Sequence, residues 1–180
     1  MTAETTGTAA TARAEWGEPR SKTVTWFDPM VGATQGMRMA GVDHLRAIAA
    51  GELPPAPIAT HFDFDITEVE EGRVSFTCRP DESAYNPIGV VHGGLVCTLL
   101  DSVCGCAVHS TLPLGKGYTS IEIKVTYLKA VTARSGLLTA TGTVVKVGSR
   151  VGFSEGVVVD ESGATVATAT STCLVFDLPS

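Results

Sequence analysis

Apolar and polar residues alternate along residues 118–131. Ile121, Ile123, Val125 and Tyr127 fall on one side, and Ser120, Glu122, Lys124 and Thr126 on the other. A period of two predicts a half-buried strand. Residues 61–80 read as two more strands joined at Glu70-Glu71-Gly72. Residues 135–147 and 151–160 are strands linked by Gly148-Ser149-Arg150, and a last strand over 164–176 follows the turn Asp160-Glu161-Ser162-Gly163. Short glycine-containing turns between long strands make neighbours antiparallel.

Two segments break this rhythm. Residues 41–51 carry Val42, Leu45, Ile48 and Ala49 on one helical face, with Asp43 as the expected N-cap and Gly51 as the stop. The run LPPAPI after it is expected to be extended. The second segment, from about Gly93 to Ser110, is apolar on nearly every side: Leu95, Val96, Leu99, Leu100, Val103 and Ala107, with Ala, Gly and Cys between. Such a helix is buried all round. The fold class this predicts is α+β: a curved antiparallel sheet wrapped around one central helix, with an N-terminal helical extension. The sheet covers one face of that helix, so a second subunit is expected to cover much of the rest. Three regions follow: a tail over 1–22 without periodicity and expected to be disordered, an extension over 23–58, and the sheet-bearing domain over 59–180. Pro54, Pro55 and Pro57 either line or lid a pocket or, the stronger expectation, pack the extension on the sheet.

Charge and composition narrow the function. The chain has 180 residues and a net charge of -6, which argues against a nucleic-acid partner, since that needs a basic face. No run of about 18 uninterrupted apolar residues predicts a membrane span, and the first 22 residues lack the apolar core of a signal peptide. A cytoplasmic setting is expected. The five cysteines, Cys78, Cys97, Cys104, Cys106 and Cys173, are odd in number and lack zinc-finger or CxxC spacing. They read as small buried hydrophobes in a reducing compartment. The four histidines show no metal-ligand spacing, and no phosphate loop of the P-loop or dinucleotide type is present. Neither a metal nor a cofactor is expected.

One charge stands out inside the apolar helix. Asp101 is its sole carboxylate; the nearest acids in sequence are Glu82 and Glu122. Burying an unpaired carboxylate costs several kcal/mol or raises its pKa. Asp101 is therefore either satisfied by Ser102, Thr98 or a neighbouring strand, or kept as a base or nucleophile. Upstream, Asn86-Pro87-Ile88-Gly89-Val90-Val91-His92 leads into Gly93-Gly94 at the helix N-terminus. There the backbone N–H groups lack intrahelical partners, the helix dipole is positive, and no side chain blocks an approaching oxygen. That suits a developing oxyanion. Asp101 lies two turns further on, roughly 10 Å along the axis from Gly94 at 1.5 Å per residue. The two cannot easily meet one carbonyl from the same chain. An antiparallel pair of helices in a dimer brings one Asp101 opposite the other's Gly94.

These motifs carry a resemblance. N-P-I-G-V-V-H-G-G, L-L-D, Y-T-S-I-E-I-K-V-T-Y, V-V-K-V-G-S-R and A-T-A-T-S-T-C-L-V resemble the PaaI-type hotdog-fold acyl-CoA thioesterases over residues 59–176. The resemblance implies a sheet around one helix, paired into a homodimer or dimer of dimers, acting on an acyl-CoA. It implies that Asp101 is the catalytic acid residue, as base or nucleophile, and that the amide of Gly94, or of Gly93, polarises the thioester carbonyl. By the same resemblance His92 and Asn86 lie near the thioester. Ser120 positions water, with Thr119 as competitor because strand parity puts it beside Ile121. Arg150, in its turn, is a candidate contact for a coenzyme A phosphate.

Two rivals remain. A hotdog hydratase carries D-x-N-P-x-H, but here Ala84 and Gly89 replace the acid and the base. A non-catalytic acyl-CoA-binding domain has no need of a buried carboxylate.

Overall fold

The computed structural model describes residues 16–179. Strands β1 (Phe64–Glu70), β2 (Arg73–Cys78), β3 (Lys116–Tyr127), β4 (Leu138–Val147), β5 (Val151–Val159) and β6 (Thr165–Asp177) form one antiparallel sheet. Its spatial order is β1-β2-β4-β5-β6-β3. The hairpins predicted from the glycine-containing turns are all present; β3, reached through the helix, pairs against β6 at the edge, which leaves β2 paired with β4. Here β3 closes the sheet with a free edge.

The central helix, Gly93–Ser110, touches every strand. It is the sheet-wrapped helix the sequence predicts, with the predicted bounds. Leu99, Leu100, Val103 and Val108 have no exposed surface, and each such side chain stabilises the fold by about 1.5–3 kcal/mol. Two glycines let the helix lie this close. Gly142 on β4 and Gly156 on β5 are register partners. A Cβ on Gly142 would stand 2.2 Å from the Val103 carbonyl oxygen, and one on Gly156 would stand 2.8 Å from Cys104 Sγ. By length and composition this helix alone, among the described residues, could span a bilayer, yet more than half of it is buried inside the sheet.

Burial is not complete all round, contrary to the expectation from composition. Gly94 is exposed, and Cys97, Thr98, Asp101, Ser102, Cys106 and His109 are half-buried. These positions recur every three or four residues and make one stripe that the sheet does not cover. The extension covers its C-terminal end.

The extension supplies three helices: α1 (Pro29–Gly36), α2 (Gly41–Ala49) and α3 (Pro57–Phe62). The central helix is α4. Asp28 caps α1, accepting from the Met30 amide at 2.9 Å, and Pro29 starts it. Asp43 is not the cap of α2; Ala40 holds that position without a side-chain bond, and Asp43 lies in the first turn. The reason is tertiary: the Gly41 amide donates to the Leu112 carbonyl at 3.0 Å. A Cβ there would fall 1.8 Å from the His109 carbonyl oxygen, so α2 docks end-on against α4. Gly51, with φ +74, follows the helix as expected. The LPPAPI segment is extended only as far as Ala56; Pro57 then occupies the first turn of α3, where its missing N–H is no loss. Of the expected tail, residues 1–15 lie outside the described residues. Arg20 and Lys22 form ion pairs with Glu82 and Asp81.

The junction of α2 and α4 is a pair of imidazoles. His44 Nδ1 lies 3.2 Å from His109 Nε2, the Tyr118 ring stacks at 5.3 Å from His109, and His109 Nδ1 is buried without a partner. Burial pushes His44 below its ordinary value near 6.5. Burial, then the neighbouring His44, pushes His109 down to about 4. The unfolded chain binds these protons more readily, so stability is lost as pH falls from about 6.5 towards 4. The loss attributable to His109 is on the order of 3 kcal/mol. Thermal unfolding followed across that window should show a falling midpoint, and the double variant His44→Gln, His109→Gln should flatten the dependence.

Candidate active site

The loop before α4 is held by Asn86. Its Oδ1 accepts from the amides of Ile88 (3.1 Å) and Val90 (3.3 Å), folding the chain over Gly89 at φ +80. Val91 then bonds to Val131, and His92 to Ala84, both at 2.8 Å. His92 is the N-cap of α4, and its Nδ1 accepts from the Gly94 amide at 2.8 Å. In this state the donor that suits a carbonyl is therefore held by His92, leaving Gly93 N–H as the first-turn donor that His92 does not occupy. Tyr127 closes the other side: its hydroxyl donates to the Gly93 carbonyl at 2.9 Å. A Cβ at Gly93 would stand 3.1 Å from the Tyr127 ring.

Asp101 is satisfied from outside its own helix. Ser102 donates to the Thr98 carbonyl at 2.8 Å and Thr98 to the Gly94 carbonyl at 2.9 Å, so both local candidates are engaged with backbone. The partner is Ser120 on β3, whose Oγ donates to Asp101 Oδ1 at 2.8 Å. Among the described residues it is the sole hydrogen-bond partner of this carboxylate. One oxygen is anchored, and the other has no hydrogen-bond partner among the described residues.

Ser120 reaches Asp101 because the strand slips. The β3–β6 register shifts between Ser120 and Glu122, leaving Ile121 as a bulge with 58% of its surface exposed. Before the bulge Tyr118 and Ser120 face α4; after it Ile123 and Val125 do. The uninterrupted alternation read from the sequence is thus corrected: Ile121 does not share the inward face of Ile123 and Val125. Thr119 does share a face with Ile121, and that face is exposed.

Asp101 and Ser120 stand at one end of a cavity of about 1020 Å³. Ser102, Cys106 and Tyr118 line the same end. The one thiol among the described lining residues, Cys106, is a poor nucleophile: burial pushes it up to about 12, with Asp101 adding to the effect. The rest of the lining is largely the extension, for which lining a pocket is the weaker of the two readings of its prolines. Pro54 and Pro55 line the cavity together with parts of α1, α2 and α3; Pro57 does not. No local motif marks these residues, since their place depends on α2 docking against α4.

The candidate residues therefore fall into separate places. Asp101 and Ser120 meet. His92, Gly93 and Gly94 form a second group at the start of α4, next to the Asn86 loop, and none of these four lines the cavity. Thr119 and Arg150 are exposed and lie outside it.

Comparison with known proteins places this geometry. Residues 88–167 match the model of the thioesterase superfamily. A Halobacterium salinarum protein whose name places it among the esterases is 44% identical over 69 residues, 37% of this chain; the match spans 44% of that relative's length. Among solved structures, the PaaI protein of Escherichia coli, from its phenylacetic acid degradation operon, aligns with a TM-score of 0.66. It is 22% identical, over 78% of this chain and 96% of its own. A Streptococcus mutans protein solved bound to acetyl CoA aligns with a TM-score of 0.59 and 28% identity, over 65% of this chain and 91% of its own.

The His92 cap has a separable stability role. His92→Ala should lower unfolding free energy by about 1 kcal/mol, and His92→Asn, which keeps an N-cap acceptor, should restore most of it. Urea denaturation of the three proteins checks this.

Proposed function

Because residues 88–167 match the thioesterase superfamily and the fold is that of the PaaI protein, we propose that the chain is a PaaI-type hotdog thioesterase that hydrolyses an acyl-CoA thioester to a free acid and coenzyme A. The observation that carries this reading is the Ser120–Asp101 pair in the lining of a largely apolar cavity. Ser120 orients the carboxylate, and the free Asp101 oxygen takes a proton from water. The resulting hydroxide adds to the thioester carbonyl carbon, the carbon–sulfur bond breaks, and the leaving thiolate is protonated. Direct attack by Asp101 on the same carbon, followed by hydrolysis of the anhydride, uses the same geometry. The Gly94 amide polarises the carbonyl once the substrate oxygen displaces His92 Nδ1, with the helix dipole adding to it. Acetyl CoA in the Streptococcus mutans relative supports the coenzyme. Arg150, exposed in the β4–β5 turn, is the candidate partner for one of its phosphates, and His92 and Asn86 flank the thioester.

The site is completed by a second copy. Asp101 and Gly94 are seven residues apart on one helix, about 10 Å by helix rise. The half-exposed stripe containing both, and the free edge of β3 beside it, suit an antiparallel homodimer in which each Asp101 faces the partner's helix start. The five free cysteines fit a reducing cytoplasm.

One observation favours a second reading. With the Gly94 amide bonded to His92, the chain could hold acyl-CoA without turning it over.

Thiol release from acyl-CoA, followed with a thiol-trapping dye, separates the two readings. Asp101→Asn should lose turnover by a factor of about 10² or more while still binding substrate. Ser120→Ala should lose less and keep the product profile. Wild-type rates in Asp101→Asn, or tight binding by wild type with no thiol released, would overturn the hydrolase reading.

A further inference from the structure

The cavity that ends at Asp101 is built largely by the N-terminal extension of the same chain, outside the region that matches the family. Ile48 and Ala49 on α2, Leu53-Pro54-Pro55 after it, and Ile58 on α3 form one wall. Phe64, Ile66 and Phe76 of β1 and β2 form the facing wall. Ala49, Pro55 and Ile58 are exposed, so they are surface residues of the extension turned to the cavity and not parts of the core. The α2 docking contact at Gly41 and the His44–His109 pair hold this wall in place.

The electrostatics of the lining are one-sided. Asp28, Glu52 and Asp65 line the cavity in addition to Asp101, and among the described residues no Lys or Arg does. A carboxylate at the far end of a bound acyl group would meet like charges in a mostly apolar space with no cation to pair with it. The phosphates of the coenzyme are repelled from this end for the same reason. The cavity also reaches the upper end of the range of about 300–1,000 Å³ in which drug-sized ligands are enclosed, far more than an acetyl group fills.

Resting on the hydrolase reading above, we propose that the extension is the acyl-selecting wall of the site. It admits a bulky, uncharged apolar acyl group and rejects short and carboxylate-bearing ones. The coenzyme lies on the other side of Asp101, towards the start of the facing helix. Selection is thus made in cis by residues 27–59, while the chemistry is shared across the dimer.

The test compares octanoyl-, acetyl- and succinyl-CoA with the full chain. Wild type should show kcat/KM at least tenfold higher for octanoyl- than for acetyl- or succinyl-CoA. Ala49→Trp, which fills the cavity from an exposed helix position, should lower the octanoyl-to-acetyl ratio tenfold or more. Arg46→Trp, on the same helix but outside the lining, should leave that ratio as in wild type. Glu52→Lys should raise succinyl-CoA relative to octanoyl-CoA. An unchanged ratio in Ala49→Trp, or succinyl-CoA as good as octanoyl-CoA in wild type, would overturn the proposal. Calorimetric binding of octanoyl- and acetyl-CoA to Asp101→Asn, with and without Ala49→Trp, keeps the two readings apart. A binding preference that Ala49→Trp abolishes supports the acyl wall even if wild type releases no thiol; no preference in binding overturns it even if wild type is an active hydrolase.

Discussion

The close seating of α4 in the sheet is the constraint on which the rest depends. At Gly142 and Gly156 the helix lies where a single methyl group would collide with its backbone or with Cys104. A helix held this near the strands presents its first turn to Tyr127, its middle to Ser120 and its fourth turn to Tyr118. The strand β3 runs back along the helix, and each of these contacts fixes a different piece of chemistry. Moving the helix outward by the width of one Cβ would break the Ser120–Asp101 bond and leave a carboxylate unpaired against an apolar wall.

That geometry divides one helix between two jobs. Its start is an N-terminus, rich in backbone donors and positive in potential, and its middle carries the Asp101 carboxylate. Helix rise separates the two by about 10 Å, which is why the proposed reaction calls for a second copy. The half-exposed stripe of small and polar residues is the surface on which such parts can meet those of another copy. The extension blocks the far end of the same stripe, where α2 docks on His109. It therefore leaves the Gly94 end of the stripe as the part open to the facing subunit proposed above.

The His92 cap shows how a folding device and a chemical one share an atom. The Gly94 amide must have an acceptor when no substrate is bound, and His92 Nδ1 provides it. In the proposed reaction a substrate oxygen would exchange one acceptor for another, and carbonyl binding there would compete with the cap. The Asn86 loop is similarly self-contained, its Oδ1 bonding to Ile88 and Val90. Its role is first to set the entry of the chain into α4.

Much of this was legible in the residues alone. The strand order along the chain, the bounds of α4 and the oddity of Asp101 follow from period-two alternation, from turn glycines and from one charge in an apolar run, all of which are local. What the tertiary structure decided is non-local. Ser120 and not Thr119 faces Asp101, because pairing with β6 forces a bulge at Ile121 that no alternation within β3 reveals. Asp43 does not cap α2, because Leu112 of another element takes the Gly41 amide. Pro54 and Pro55 line the cavity because α2 docks on α4, a contact set by the missing Cβ of Gly41 and by two histidines 65 residues apart. Periodicity reports which face of an element is apolar. Which atoms that face meets depends on register and on packing distance, and those exist only once the chain has closed on itself.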